Sequence, residues 1–303
     1  MPDYDALLDE GIKAFIRETA RHYPPDAASL DIAGQRAVYD RMAAAFRAPR
    51  PSGVRVEDWP IGGVPARIYE SGPGGGAVLY LHGGGFVVGG LESHDDVCAE
   101  ICAGTGLRVV SADYRLAPEH PHPAAYLDAL AAVRAAFAAF GAPLILAGDS
   151  AGAALAASVA HALRGSDARV AGQVLIYPGL GGDADRGSYI EHAEAPMLTR
   201  ADVLFYGRIR FAGEAPERDP TAAALHDEDF SGLPPTLIFS AECDPLADDG
   251  REYRDRIRAA GGAADWRLDR GLVHGWLRAR HMSPRAGAAF ARIVEGVGRL
   301  AAG

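Results

Sequence analysis

Short apolar runs alternate with longer amphipathic stretches along most of the chain. The short runs are bounded by turn-forming residues and predict strands at residues 64–70, 77–82, 107–113, 143–148, 173–177, 236–241 and 264–269. Apolar residues at helical spacing predict helices between several of these strands, most clearly at residues 124–140, 151–164, 248–260 and 285–300. Strands that alternate with helices predict an α/β fold, in which a mostly parallel sheet is covered by helices on both faces.

Two segments depart from this alternation. Residues 1–52 contain no strand pattern, and apolar residues such as Ile12 and Phe15 fall on one helical face, with Pro24 and Pro25 separating two helical stretches. Residues 179–220 are rich in glycine, aspartate and arginine, and so long a structureless loop is uncommon inside a compact domain. We therefore expect residues 1–52 to be N-terminal cap helices and residues 179–220 to be a helical cap insertion. Residues 53–178 and 221–303 then form the α/β domain.

Charge and cysteine content narrow the class of protein. The 303 residues carry a formal net charge of −10 that is spread along the chain, which argues against nucleic acid and anionic membranes as partners. Three cysteines are too few, and odd in number, for a disulfide framework. The first residues are acidic rather than basic, and no apolar run approaches about 18 residues, so we expect neither a signal peptide nor a membrane span. These features favour a cytoplasmic location.

One short motif points to a nucleophile. Residues 148–152 have the sequence GDSAG and follow a predicted buried strand, while an alanine-rich helical pattern begins directly after them. A strand, a sharp turn and a helix around G-x-S-x-G form a nucleophile elbow, which holds the serine hydroxyl clear of the sheet. We therefore predict that Ser150 is a nucleophile, with an ordinary glycine-rich turn as the alternative.

A second motif supplies hydrogen-bond donors. Residues 82–86 have the sequence HGGGF at the end of a predicted strand. Acyl transfer builds negative charge on a carbonyl oxygen, and backbone N–H groups held toward that oxygen lower the barrier. We assign these donors to Gly84, Gly85 and Ala151, although the motif also leaves Gly83 open as a donor. His82 and Gly83 are expected to support the loop.

A serine nucleophile needs a base, and the base needs an acid that orients it. In this type of fold the chain order is serine, acid, histidine. Only His274 and His281 lie late enough, and His274 comes just after the last predicted strand, whereas His281 is expected on the surface. Asp244 follows the strand at residues 236–241, with Glu242 as the rival acid and Asp248 as the next candidate.

These motifs together resemble the bacterial hormone-sensitive-lipase-like esterases, family IV of the lipolytic enzymes, over most of the chain. The matching residues are 82–86, 113–119, 148–152, 244–246 and 274–275. The resemblance implies the α/β-hydrolase fold with a helical cap, and carboxylesterase activity on short- to medium-chain acyl esters without a cofactor. It further implies that Arg115 and Glu119 support the site structurally, and it allows a homodimer. Ala153 departs from the family pattern, which commonly has glycine there.

Other functions are weighed against this one. Amide or carbamate cleavage could use the same three residues. A non-catalytic receptor of the same fold lacks the base, so the presence of His274 disfavours it. A metal hydrolase could use residues 94–96, or His120 with His122, but neither set has the spacing of a ligand helix such as H-E-x-x-H. We therefore expect no metal and a small-molecule ester as the substrate.

Overall fold

The computed structural model describes residues 2–24, 30–72 and 75–303. Eight strands are present in these ranges: β1 (Arg55–Asp58), β2 (Ala66–Glu70), β3 (Ala77–Leu81), β4 (Arg108–Ala112), β5 (Leu144–Asp149), β6 (Val170–Ile176), β7 (Thr236–Cys243) and β8 (Ala264–Val273). The α-helices in the same ranges are α1 (Tyr4–Leu7), α2 (Glu10–His22), α3 (Ile32–Phe46), α4 (Asp95–Thr105), α5 (Ala124–Phe140), α6 (Ala151–Ala162), α7 (Ser188–Glu191), α8 (Arg200–Phe211), α9 (Ala247–Ala259) and α10 (Pro284–Ala302). Pro25, part of the predicted separator, lies outside the described residues.

The strands form one mixed sheet in the order β1-β2-β4-β3-β5-β6-β7-β8. The pairs β1–β2 and β2–β4 are antiparallel, and all other neighbouring pairs are parallel. Each of the seven predicted strands has a counterpart, and the predicted α/β class is confirmed. β1 was not predicted, because its sequence RVED is mostly exposed and carries one apolar residue, so it has no apolar alternation.

Both faces of the sheet are covered. Every residue of β3 is buried, and its successive side chains enter two different apolar clusters, as the alternation of side chains along a strand requires. One cluster packs the sheet against α5, α6 and α9. The other packs it against α4 and α10, and against Ile12 and Phe15 of α2. Part of the N-terminal segment therefore belongs to the core beneath the sheet.

Two strands at one end of the sheet run further than predicted. β7 extends to Cys243 and β8 to Val273, past a register shift between Ala241 and Cys243. Gly271, with a φ of 66°, interrupts the apolar pattern that would have indicated the longer β8. Asp244 and His274 directly follow these two strands and therefore lie at the carboxyl edge of the sheet. Parallel α/β sheets bind their ligands at this edge.

The two segments outside the alternating pattern meet on the loop that follows β3. Two buried residues of that loop and one from the loop that follows β4 are contacted by α3 of the N-terminal segment and by α8 of residues 179–220. The members of this small apolar cluster are Val87, Val88 and Ala117, with Ile32 and Tyr39 from α3 and Tyr206 and Ile209 from α8.

Among the described helices, none is long and apolar enough to cross a membrane.

Candidate active site

The turn between β5 and α6 holds Ser150 in a strained backbone conformation. Its φ is 53° and its ψ is −119°, a combination that non-glycine residues rarely adopt. The amide of Ser150 donates to the carbonyl of Ile176 at 2.9 Å, which fixes the turn to β6. A Cβ on Gly152 would lie 1.9 Å from the carbonyl oxygen of Leu81. Glycine is therefore required for α6 to begin this close to the end of β3.

The structure brings Ser150, His274 and Asp244 into one hydrogen-bonded line. Nε2 of His274 lies 2.8 Å from Oγ of Ser150, and Nδ1 of His274 lies 2.7 Å from Oδ2 of Asp244. Asp244 is fully buried, and its other oxygen accepts the amide of Leu246 at 2.9 Å. The ring of Tyr177 packs 4.8 Å from the imidazole, centroid to centroid. With its proton on Nδ1, His274 donates to Asp244 and accepts from the serine hydroxyl.

The rival side chains have other partners. Glu242 accepts the amide of Gly271 at 2.7 Å, so its carboxylate is held against β8. Asp248 accepts the amide of Ser188 at 3.0 Å. His281 exposes 52% of its side chain. None of these three side chains forms a hydrogen bond with the histidine or serine of the predicted triad within the described residues.

Backbone amides near Ser150 fall into two groups. The amide of Gly83 donates to Oδ1 of Asp149 at 2.9 Å, and it is therefore occupied. The amides of Gly84, Gly85 and Ala151 have no hydrogen-bond acceptor within the described part of the chain. Both loop glycines have positive φ, 130° and 59°, which turns their peptide units in a way that L-residues resist. The geometry thus favours Gly84 and Gly85 over Gly83 as donors.

Asp149 joins the two loops, and the sequence motif gave no separate sign of this. Its carboxylate, 3% exposed, also accepts the hydroxyls of Tyr80 at 2.8 Å and Tyr177 at 3.2 Å, and it faces Nε2 of His94 at 3.2 Å. Burial alone would raise the pKa of this carboxyl. The charge and hydrogen bond of His94, together with the donors around it, hold the pKa well below its usual range. In the sequence, the one feature that could have indicated this role is a charged residue at the end of an apolar strand pattern.

His82 contacts the backbone of the glycine loop rather than the serine. Its ring is fully buried and stacks on Tyr114 at 4.3 Å, and its Nδ1 lies 2.9 Å from the carbonyl of Gly83. The hydroxyl of Tyr114 donates to the carbonyl of His82 at 2.6 Å. Burial, with a contribution from nearby His94, lowers the pKa of His82 to about 4. The ring is therefore neutral at pH 7.

Comparison with known proteins identifies the family of the chain. A family model described as the alpha/beta hydrolase fold matches residues 78–278, more than half of the chain. Esterase LipI of Mycobacterium tuberculosis is 38% identical over 274 residues, covering 84% of each chain. An acetyl esterase of Salmonella agona is 31% identical and covers 93% of this chain and 91% of its own. The chain belongs to the carboxylesterases of the α/β-hydrolase fold.

A solved structure supports the same assignment. This esterase matches one from the bacterial hormone-sensitive lipase family with a TM-score of 0.87 at 30% identity, over 96% of this chain and 98% of the other. The recognition of the family and the fold from the sequence motifs is therefore confirmed.

Two residues of the 113–119 segment of the esterase form bidentate ion pairs, and one of these pairs reaches the loop that follows β3. Arg115 forms a bidentate pair with Asp128, at 2.8 and 2.7 Å. Glu119 forms a bidentate pair with Arg36 of α3, at 2.9 and 2.7 Å, and Arg36 donates in turn to the carbonyl of Val87 at 2.8 Å. Glu119 thus orients an arginine that ties α3 to the end of the loop.

The residues weighed as metal ligands are engaged with other side chains. Asp95 pairs with Arg50 at 2.7 Å, and Asp96 pairs with Arg280. His122 faces Asp219 at 3.2 Å. Within the described ranges, no group of three or more histidine, cysteine, aspartate or glutamate side chains is arranged to hold a metal ion.

Proposed function

We propose that this carboxylesterase hydrolyses short- to medium-chain acyl esters through a triad of Ser150, His274 and Asp244 and an acyl-enzyme intermediate. The observation that carries the proposal is the unbroken hydrogen-bonded line from serine to histidine to aspartate, at 2.8 and 2.7 Å. A serine hydroxyl is a weak nucleophile, and a histidine in this position removes its proton as it attacks.

The first half of the reaction forms the acyl-enzyme. Oγ of Ser150 attacks the acyl carbonyl while Nε2 of His274 takes the hydroxyl proton, and Asp244 stabilises the imidazolium that results. The carbonyl oxygen becomes an oxyanion and accepts hydrogen bonds from the unoccupied backbone amides of Gly84, Gly85 and Ala151. The tetrahedral intermediate collapses, the C–O bond to the alcohol breaks, and His274 returns the proton to the departing oxygen.

The second half of the reaction releases the acid. Water takes the position of the alcohol, His274 removes its proton, and the hydroxide attacks the acyl carbonyl of the intermediate on Ser150. The same amides stabilise the second oxyanion. The bond between acyl carbon and serine Oγ then breaks, and the histidine gives its proton back to the serine.

The helical segments support a small acyl pocket. We propose that α3 of residues 1–52, together with residues 179–220, forms a cap over the site, because α3 and α8 meet on the loop that follows β3, whereas α2 packs in the core. The ring of Tyr206 stands over Gly85 so closely that a Cβ there would lie 2.8 Å from it. The names of two relatives, an acetyl esterase and an ethyl acetate hydrolase from Pseudomonas putida, are consistent with small acyl groups.

Replacing the nucleophile tests the proposal as a whole. Ser150→Ala should lose several powers of ten in kcat on p-nitrophenyl butyrate, because no other group can form the acyl-enzyme. A fluorophosphonate should label Ser150 in the wild-type enzyme, which mass spectrometry of the labelled peptide would locate. Unchanged circular dichroism would show that the variant is folded, and wild-type activity in a folded variant would contradict the proposal.

A matched pair of substitutions tests the choice of acid. Asp244→Asn should reduce kcat by about 10⁴, the size of the effect in the best-studied serine protease, because the histidine is then held in the wrong tautomer. Glu242→Gln changes the carboxylate two residues earlier, which accepts the amide of Gly271, and this variant should reduce kcat far less. Steady-state kinetics of both purified variants provide the comparison. A larger loss in the glutamate variant would make the acid assignment wrong.

A series of p-nitrophenyl esters tests the pocket. kcat/KM should be highest for acyl chains of about four to eight carbons, since a closed pocket holds a ligand of limited size. Tyr206→Ala removes the ring over Gly85 and should move the optimum to longer chains. Ile190→Ala, on an exposed residue of α7, is the control and should leave the profile unchanged. Faster cleavage of a sixteen-carbon than of a four-carbon ester by the wild type would refute the small pocket.

A further inference from the structure

Behind the nucleophile lies a second line of serine, histidine and aspartate, which the proposed mechanism does not use. Oγ of Ser93 lies 2.8 Å from Nδ1 of His94, and Nε2 of His94 faces the two oxygens of Asp149 at 3.2 and 3.4 Å. These three residues are 8%, 1% and 3% exposed, so the line is almost closed to solvent. Any effect that it has on the reaction must therefore be exerted through the residues it touches.

Asp149 has one basic neighbour. Within the part of the chain that the structure describes, His94 is the only basic side chain in contact with this carboxylate. The other donors to it, the hydroxyls of Tyr80 and Tyr177 and the amide of Gly83, are neutral. A buried carboxylate is costly without an opposite charge beside it. The surroundings of Asp149 therefore favour a positively charged His94.

The other titratable groups around His94 do not compete for this role. The ring of His82 lies 5.7 Å from that of His94, centroid to centroid, and it is neutral at pH 7 because burial lowers its pKa to about 4. Arg278 acts on the carboxylate of Asp149 through its charge, but its guanidinium donates to the hydroxyl of Tyr39 at 2.8 Å. The positive charge in contact with Asp149 must therefore come from His94.

The hydrogen bonds of Ser93 indicate where the protons of the histidine are. The serine hydroxyl accepts the amide of Gly90 at 3.0 Å and donates to the carbonyl of the same residue at 2.9 Å. A hydroxyl has one proton, so a serine that gives it to this carbonyl can only accept from Nδ1 of His94. Nε2 of the ring faces a carboxylate that stays ionised, and it must donate as well. Both ring nitrogens then carry protons, and the ring is an imidazolium.

The negative charge of Asp149 lies close to both parts of the proposed oxyanion site. Asp149 directly precedes Ser150. Its Oδ1 accepts the amide of Gly83, which is next in the chain to the proposed donors Gly84 and Gly85. A carboxylate at this point repels the negative charge that develops on the substrate oxygen, unless a cation offsets it.

We propose that His94 is a positioning residue that acts as an imidazolium: it holds Asp149 in place and offsets its charge, so that the carboxylate does not repel the oxyanion. Ser93 keeps the ring in this state by accepting from Nδ1. This inference rests on the proposed serine mechanism and adds a charged residue outside the triad to it. Because the oxyanion exists only after the serine attacks, kcat should depend on His94 and KM should not.

The protonation of His94 can be measured in the resting enzyme. With isotope-labelled histidine, nitrogen NMR at pH 7 should show a proton on both ring nitrogens of one buried histidine. His94→Gln should remove that signal, which assigns it. A neutral ring at His94 under these conditions would overturn the proposal.

Kinetics of the same variant measure the effect on the oxyanion. His94→Gln keeps a donor toward Asp149 and removes the charge. It should lower kcat on p-nitrophenyl butyrate by about tenfold, the effect of one nearby and partly screened charge, while KM changes little. Affinity for an alkylboronic acid, whose adduct on Ser150 carries the negative charge of the oxyanion, should fall by a similar factor. Wild-type kcat and boronate affinity in this variant would also overturn the proposal.

Rescue by a second substitution separates charge from packing. If His94 acts by offsetting Asp149, removal of both charges should restore most of the kcat that His94→Gln loses alone. The double variant combines His94→Gln with Asp149→Asn, and it is compared with both single variants. Losses that simply add in the double variant would mean that the histidine has only a structural role.

His161→Gln is the matched control. His161 is 5% exposed, its Nδ1 lies 2.7 Å from Asp227, and it stands at the opposite end of α6 from Ser150. This variant should lower the melting temperature and leave kcat and boronate affinity near their wild-type values. A loss equal to that in His94→Gln would overturn the proposal. If the wild type cleaves no ester and binds no boronate, the serine mechanism fails, and the NMR result alone decides the charge of His94.

Discussion

The active site depends on one buried contact, the hydrogen bond from the amide of Gly83 to the carboxylate of Asp149 at 2.9 Å. Asp149 directly precedes Ser150, and Gly83 directly precedes the loop amides that we propose as oxyanion donors. The proposed nucleophile and two of its proposed donors come from loops after two different strands, β5 and β3, and this contact fixes the distance between the loops. The close approach of Gly152 to the carbonyl of Leu81 secures the same junction from the other side.

Much of the surrounding structure serves to keep this contact. A buried carboxylate is stable only when its oxygens accept enough hydrogen bonds, and Tyr80, Tyr177 and His94 complete the set. Tyr177 also packs against His274, so the environment of the carboxylate and that of the base are continuous. Preorganisation of this kind gives the donors their value, because they need not move when charge develops.

The sequence predicts the fold well where burial determines the pattern. β3 and β5 are apolar at every position or nearly so, and they are unmistakable, whereas β1 is exposed and was missed. The carboxyl ends of β7 and β8, which precede Asp244 and His274, run further than predicted, and in β8 this is because Gly271 interrupts the apolar run. Local sequence patterns describe single elements. β1 and the strand ends were not predicted because residues that are neighbours in space, and not in sequence, determine their structure.

In the candidate site, too, features with a local sequence pattern were predicted, whereas features that depend on distant residues were missed. The motifs single out Ser150 and His274 because a strained turn and the end of a strand leave local signatures. The role of Asp149 depends on partners far away in the sequence, such as Gly83 and His94, and the local sequence does not identify these partners. The sequence favours Asp244 over Glu242 from its place after a strand, and in the structure Asp244 lies beside His274 whereas Glu242 accepts the amide of Gly271.

Replacement of Asp149 is the most direct test of the central claim. Asp149→Leu keeps the shape but removes the acceptor for Gly83, whereas Asp149→Asn retains one acceptor oxygen. The leucine variant should lose about 10²–10³ in kcat, the typical effect of losing one oxyanion donor, and should bind an alkylboronic acid more weakly by a similar factor. The asparagine variant should retain most of both. A folded leucine variant with wild-type kcat and wild-type boronate affinity would contradict the account.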